Sequence, residues 1–470
     1  MSIDLLIKNA MIPKGDMTVK VDILVDKGII VGFMEQAQIE AREIIDACEK
    51  LVIPGCIDSH THINDPGFTH RENFLTGTSA AASGGVTTII DMPCCSVPSV
   101  RSVDNLEYKL SQIADKAIVD YGMWGGVTGE DVRNNWLHNV KEQADYGVCA
   151  FKVYMTPSVP TYPRVTDPEM LEAFKSVAAT GLPIGIHAEN YAMCDFYVQK
   201  LKNEGRLDGP AWAEARLELA EKVAIELGIS FAEFTGARLH IVHMSTGIGA
   251  VLVKNAKMRG LDVTSETCPH YLTINYQDAM SKYESFAKIA PPLRTVKDNE
   301  MLWQGVADGS VDFIATDHAP YEISTEKCAE GMNIWNSFPG IPGVETMVPV
   351  IVSEGYNKGK ISLSRMVEIL CKNPAIHYGL YPKKGAMDIG SDADFTIIDL
   401  DKEWTIEQEK MYTMAKYTPL HGMKLKGKPV KTIVRGSLVY EDGKGIIAKP
   451  GYGRFVKRQT ISKLPRQIKF

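Results

Sequence analysis

The sequence predicts an α/β protein, a (β/α)8 barrel carrying a small β-sandwich assembled from both chain ends. Three observations lead there. Residues 54–384 alternate short aliphatic runs with helical stretches, the pattern of a parallel sheet wrapped by helices. Eight such runs occur, over about the length that a (β/α)8 barrel needs. Strand-like runs punctuated by Gly and Asp recur at 1–53 and again at 385–470, so the two ends are expected to meet in one domain that the barrel interrupts.

The elements follow in order. Runs 5–10, 21–25 and 29–33 are aliphatic, with Asp26, Lys27 and Gly28 as a turn. The eight central runs are 53–60, 86–91, 117–123, 149–154, 183–187, 238–243, 261–265 and 311–316. Helical stretches lie between them, for example 168–179 and 212–227. Gly84 and Gly85 mark a helix end just before the second run, where a residue without Cβ closes a helix at little cost. A doubly wound open sheet is disfavoured because no Gly-x-Gly-x-x-Gly follows the first central run. Runs 392–400, 432–435 and 437–440 return to strand character.

Composition limits the partners. The 470 residues are 45% hydrophobic and 23% charged, with net charge −7, which gives no reason to expect nucleic acid or an anionic membrane. No apolar run approaches the ~20 residues of a membrane span, and the N-terminus lacks a signal-peptide pattern. Nine cysteines without framework spacing point to reduced thiols and the cytoplasm. Cys94 and Cys95 are adjacent and are not expected to pair with each other.

The chemistry sits at the ends of the runs. His60 and His62 end the first; residues i and i+2 of a strand face the same side, so both imidazoles can reach one metal ion. Lys152 ends the fourth run, His187 the fifth, His243 the sixth and Asp317 the eighth. In a barrel these ends share one face, where barrel active sites lie. A single polar residue ending a strand is ordinarily structural, but six of metal-compatible type at one rim are not explained that way. Lys152, inside an apolar run, is costly as a bare cation. It is either an amine that has added carbon dioxide to become a metal-bridging carbamate, or a partner of Glu189 or Asp317.

These motifs, with 266–271, 290–294 and 338–345, resemble those of the cyclic amidohydrolases (allantoinase, hydantoinase/dihydropyrimidinase and dihydroorotase) over essentially the whole chain, allantoinase-like members most closely. The resemblance implies two divalent metal ions per chain, usually zinc, although such a ligand set also accepts manganese, cobalt or iron. It places His60, His62 and Asp317 on one ion, His187 and His243 on the other, and carboxylated Lys152 between them. A hydroxide shared by the ions would open a cyclic amide, with Asp317 as the catalytic residue moving the proton. Asn64, Ala290, Phe338 and Gly340 are the expected substrate contacts, the latter three through backbone groups. A homotetramer or homodimer is implied.

The ring is narrowed by exclusion. Dihydroorotases carry an Arg where Asn64 stands and an Asn where Cys94 stands, both used to grip a carboxylate. D-hydantoinases and dihydropyrimidinases carry a Tyr where Pro157 stands. Residues 60–67 resemble allantoinases throughout, but Phe68, Arg71 and Cys95 replace their usual Arg, Trp and Asn. Segment 155–160 resembles the corresponding loop of L-selective hydantoinases. A ureide or hydantoin-type ring is therefore expected, with a purine-derived ring such as xanthine as an alternative. Dihydropyrimidinase-related scaffold proteins lack intact ligands; here all six positions are filled.

Other residues receive plainer readings. Cys268 is a buried thiol rather than a nucleophile. His240 is placed on the alternate phase of its strand, facing the helices, and His318 hydrogen-bonds behind the ligands. His70, His138, His377 and His421 are surface or packing residues. The stretch 424–431 is a solvated basic turn, and the Lys- and Arg-rich tail from Val456 is either an arm across a neighbouring subunit or a disordered end.

Overall fold

The structure is a computed structural model describing residues 3–461 and 463–464. Five strands come first: β1 (Ile3–Lys14), β2 (Met17–Asp26), β3 (Ile29–Met34), β4 (Ala41–Asp46) and β5 (Leu51–Pro54). The barrel strands are β6 (Cys56–Thr61), β7 (Val86–Asp91), β8 (Asp120–Met123), β9 (Gly125–Gly126), β10 (Phe151–Tyr154), β11 (Pro183–His187), β12 (Arg238–Ile241), β13 (Val263–Thr267) and β14 (Phe313–Ile314). The chain ends with β15 (Phe395–Thr405), β16 (Lys424–Val434), β17 (Ser437–Glu441) and β18 (Gly445–Ile446).

The outer strands form one nine-stranded sheet in the order β18-β17-β16-β15-β5-β1-β2-β3, with β4 on β1. The two chain ends join where β5 runs antiparallel to β15, pairing Pro54 with Phe395 and Val52 with Ile397. Its core takes Ile7, Ile23, Val25 and Val52 from one end and Phe395, Ile397 and Ile433 from the other. Neither end buries this surface alone. The stretch 424–431, read as a turn, is most of β16; its lysines bond outward, Lys428 to Asp442 at 2.7 Å.

The barrel strands are parallel, in the orders β6-β7-β8 and β9-β10-β11-β12-β13-β14. Trp124 alone separates β8 from β9, so these are one interrupted strand and the barrel has eight staves. Closure comes beyond β14: the His62 N–H donates to the His318 carbonyl at 2.7 Å, and Thr61 bridges His318 in parallel. The helix Phe74–Ser83 ends with Gly85 at φ +87, immediately before β7, as the glycine pair predicted.

Two expectations change. The sequence extends the sixth and eighth strands to His243 and Asp317, but β12 stops at Ile241 and β14 at Ile314. His243 and Asp317 follow with φ +38 and +49, a backbone state uncommon outside glycine and typical of functional loops. The turn at Val242 also resets the side-chain phase. His240 consequently points into the barrel, beside Thr264 (2.9 Å) and Glu266 (3.3 Å), not toward the helices. The helical stretch 212–227 is broken into Gly209–Ala215 and Glu218–Thr235, because Arg216 turns inward to reach Glu189.

The tail from Val456 follows its own barrel. The Val456 N–H donates to Tyr121 at 2.8 Å and the Arg458 N–H to Gly147 at 3.1 Å, while residues 462 and 465–470 lie outside the described residues. Among the described residues no helix is long and apolar enough to cross a membrane.

Candidate metal centre

The barrel mouth gathers the six residues picked from the sequence. Nε2 of His62 lies 3.0 Å and Nε2 of His60 3.3 Å from Oδ1 of Asp317, and the ligand atoms of the three lie within 4.8 Å of one another. On the other side, Nδ1 of His187 is 3.1 Å from Nε2 of His243. The His60 and His243 rings, 5.1 Å apart, join the two groups. Lys152 projects from β10, fully buried, its Nζ 4.8 Å from the Tyr154 ring centroid and near enough for its charge to act on His60, His187 and His243.

The remaining imidazole nitrogens are mostly held from behind. Nδ1 of His60 meets Glu266, a buried carboxylate on β13. Nε2 of His187 lies 2.7 Å from Glu189, whose other bonds come from Arg216. Nδ1 of His62 lies 3.3 Å from the sulfurs of both Cys94 and Cys95. Such outer partners fix which nitrogen faces the centre. Burial holds His60, His187 and His243 below the usual imidazole range, with the Lys152 charge adding to the effect. Neutral imidazole is the form that binds a metal; His62 departs from the other three, because burial lowers it but Cys94 and Asp317 outweigh that and raise it to about 10.

A metal fits this constellation. Among the described residues, Nε2 of His60 and Nζ of Lys152 are buried without a hydrogen-bond partner, a costly state unless a further group such as a metal ion meets them. The ion-pair reading of Lys152 loses its support: Glu189 is taken up by Arg216 and His187, and Lys152 makes no salt bridge among the described residues. Burial lowers the Lys152 amine to about 8, partly offset by Asp317.

A pocket opens over the centre, lined by His62, His187, His243 and Asp317, with Cys95, Tyr154, Thr156, Pro157, Ser158, Ala290, Ala319, Tyr321, Phe338 and Pro339 around them. Ala290 and Phe338, two of the four expected substrate contacts, line this pocket. The Ala290 backbone makes no hydrogen bond among the described residues. Asn64 and Gly340 are not in the lining. The Asn64 amide donates to the carbonyls of His62 (3.2 Å) and Pro320 (3.4 Å), bracing the loop from behind. The Gly340 N–H donates to Lys288 at 2.8 Å and its carbonyl accepts from Tyr417 at 2.9 Å, so both groups already serve the fold. The carbonyl of Phe338 likewise accepts from Lys327 at 2.8 Å.

Arg71 does not enter the pocket. It grips Glu326, with Nε at 2.8 and 3.0 Å from the two oxygens, and stacks 4.4 Å from the centroid of Phe68. Cys268 is fully buried and its thiol is raised well above the usual range by burial, which fits the plain reading. His318 accepts from the Gly343 N–H at 3.1 Å, behind the ligands as expected.

Sequence reasoning missed Arg216, and it did not assign Glu189 and Glu266 to the backs of the ligand imidazoles. Glu189 stands two residues after His187, and Glu266 is the carboxylate of an otherwise uncharged buried strand; both signals were present in the sequence.

A (β/α)8 barrel with four histidines, a lysine and an aspartate at its mouth defines a metallohydrolase class. The model of the amidohydrolase family matches residues 51–439, and the chain belongs to that family. It is similar to an L-hydantoinase of Paenarthrobacter aurescens (34% identical over 460 residues, covering 97% of this chain and 98% of the relative). It is equally similar to an allantoinase of Rubrobacter xylanophilus (35% over 457 residues, 97% and 98%). Among solved structures, the L-hydantoinase (dihydropyrimidinase) from Arthrobacter aurescens superposes with TM-score 0.92 at 34% identity, covering 97% of this chain and all of the other. Membership implies a binuclear metal centre.

Proposed function

We propose that this protein is a metal-dependent hydrolase opening the ring of a small cyclic amide of the ureide or hydantoin type, as its allantoinase and hydantoinase relatives are named for doing. The observation that carries the reading is the unpartnered, fully buried Lys152 amine amid four histidines and Asp317. Lys152 adds carbon dioxide through its neutral amine, forming an N–C bond and losing one proton; the lowered amine favours that form. His60, His62 and Asp317 would hold one ion and His187 and His243 the other, with carboxylated Lys152 serving as a ligand to both. Zinc is our first choice of ion, with manganese, cobalt and iron as alternatives. When bound, the ions supply Lewis acidity toward the ring carbonyl and lower the pKa of water.

The chain's own groups do the rest. Asp317 lines the pocket and takes the proton of the attacking water, then returns it to the ring nitrogen as the C–N bond breaks. Glu266 and Glu189 keep His60 and His187 in the tautomers that face the centre. Ala290 offers its unspent backbone to the ring amide, beside Phe338; Asn64 and Gly340 serve the loops instead.

A second reading of the substrate draws on the pocket wall. Beyond the ligands it presents Cys95, Tyr154, Pro157, Tyr321 and Phe338, and the nearby Arg71 is committed to Glu326. The aromatic and sulfur groups suit an apolar substituent on a hydantoin, while the hydroxyls of Thr156 and Ser158 on the same wall are what the ureido group of allantoin would bond. A turnover screen of the metal-loaded enzyme against allantoin, 5-substituted hydantoins, dihydrouracil, dihydroorotate and xanthine decides. Strong activity on allantoin alone supports the allantoinase-like reading, and activity across apolar hydantoins supports the second. Turnover of dihydroorotate or xanthine alone would overturn both.

Residues 1–53 and 385–470 are taken as the β-sandwich and 54–384 as the catalytic barrel; the β5–β15 pairing supports this division. A cytoplasmic homotetramer or homodimer completes the proposal, supported by the free cysteines and by the family resemblance.

A further inference from the structure

Behind His62 lies a cluster to which the hydrolytic reading gives no chemistry of its own. The sulfurs of Cys94 and Cys95 are 3.5 Å apart, and each is 3.3 Å from Nδ1 of His62. All three side chains are buried, yet Cys95 also lines the pocket, so a small ion has a route to the cluster. The hydroxyl of Tyr154 closes the far side, 3.2 Å from the Cys94 sulfur.

Three observations say what this triangle suits. Its edges are short enough for one point above its centre to lie about 2.0–2.3 Å from all three donors, the metal–nitrogen and metal–sulfur range. A disulfide suits it poorly, because neighbouring Cα atoms stand about 3.8 Å apart and disulfides usually require about 4.4–6.8 Å. The donor set also differs from that of the catalytic centre, which offers nitrogen and oxygen. Two sulfurs select soft ions.

We propose that Cys94, Cys95 and Nδ1 of His62 form a separate site for a thiophilic divalent ion, in contact with the hydrolytic centre through the shared imidazole. Binding releases both thiol protons and the Nδ1 proton, and forms two metal–sulfur bonds and one metal–nitrogen bond. The occupant hardens the pocket wall at Cys95 and, by replacing the Nδ1 proton, turns His62 into an imidazolate whose donation through Nε2 is altered, so soft ions inhibit through this site. The inference goes beyond the proposed activity and holds whichever ring is opened.

Cadmium is the probe, added to the metal-loaded full chain carrying Cys48→Ser and Cys328→Ser, which remove the exposed thiols. Thiolate-to-cadmium ultraviolet absorption is expected to saturate at one equivalent per chain. Cys94→Ser and Cys95→Ser should each weaken that binding about tenfold or more. Cys371→Ser, at the other close thiol pair (3.8 Å from Cys56), should leave it unchanged. Absorption that survives the Cys94→Ser/Cys95→Ser double variant, or disappears in Cys371→Ser, would overturn the proposal. Cadmium-edge X-ray absorption of the Cys48→Ser/Cys328→Ser parent at one equivalent reads the site without either cysteine variant. Two sulfur neighbours and one nitrogen are expected, and a shell of nitrogen and oxygen alone would sink the idea.

Discussion

At the residue scale, Lys152 and Asp317 separate metal binding from proton transfer. Lys152→Ala removes the bridging group, so metal content by elemental analysis and turnover should fall together. Partial recovery with added short-chain carboxylic acids would support the carbamate. Asp317→Asn keeps an oxygen donor toward the centre but cannot take a proton. It should retain most of the metal and lose turnover by about 10²–10⁴-fold, and an active variant would refute the proton-transfer role. Glu266→Gln tests the carboxylate behind His60; metal affinity should drop about 10–100-fold, read by competition with a chelator.

At the scale of elements, the break between Gly209–Ala215 and Glu218–Thr235 exists so that Arg216 can reach Glu189. Both partners are buried, so Arg216→Met leaves an unpaired carboxylate and should cost about 3–5 kcal/mol by denaturant titration. Burial alone would raise Glu189, but Arg216 and His187 hold it far below the usual carboxylate range. A carboxylate depressed in the folded state stabilises fully above its unfolded pKa, about 4.3, and loses that contribution as pH falls through the folded value. Urea midpoints should therefore decline below about pH 4, and less so in Arg216→Met. The loop 337–340 is held in the same manner, by Lys288 and Lys327 bonding to its carbonyls. A Cβ on Gly340 would stand 2.4 Å from the Ala319 carbonyl, so Gly340→Ala should displace Phe338 and lower kcat/KM without loss of metal.

At the scale of the molecule, a buried charge network ties the outer sheet to the barrel. Lys384 meets Asp120 on β8 at 2.6 Å and Asp394, just before β15, at 2.7 Å, while Arg435, just after β16, also reaches Asp120. The three aspartates nearest Lys384 could suggest a second cation site, but the lysine already supplies the charge. Lys384→Met should consequently destabilise the whole chain, lowering Tm in a single cooperative transition, while metal content at the barrel mouth is retained. Separate melting of sheet and barrel would show that the two are not coupled through this network.

The sequence by itself determined the barrel, the joined chain ends and the six residues at the mouth. Aliphatic runs at fixed alternation are a local signal, and a polar residue ending such a run has one face of the barrel to occupy. Tertiary structure decided what depends on contacts far apart in sequence. The turn at Val242 sent His240 inward, Arg216 took the carboxylate that might have paired with Lys152, and Lys288 and Tyr417 used the backbone of Gly340. Asn64, expected as a substrate contact at the position where dihydroorotases carry an Arg, has its amide bonded to carbonyls from two loops. Which polar group remains free for chemistry is set by which neighbours have already satisfied the others, and only the folded chain brings those neighbours together.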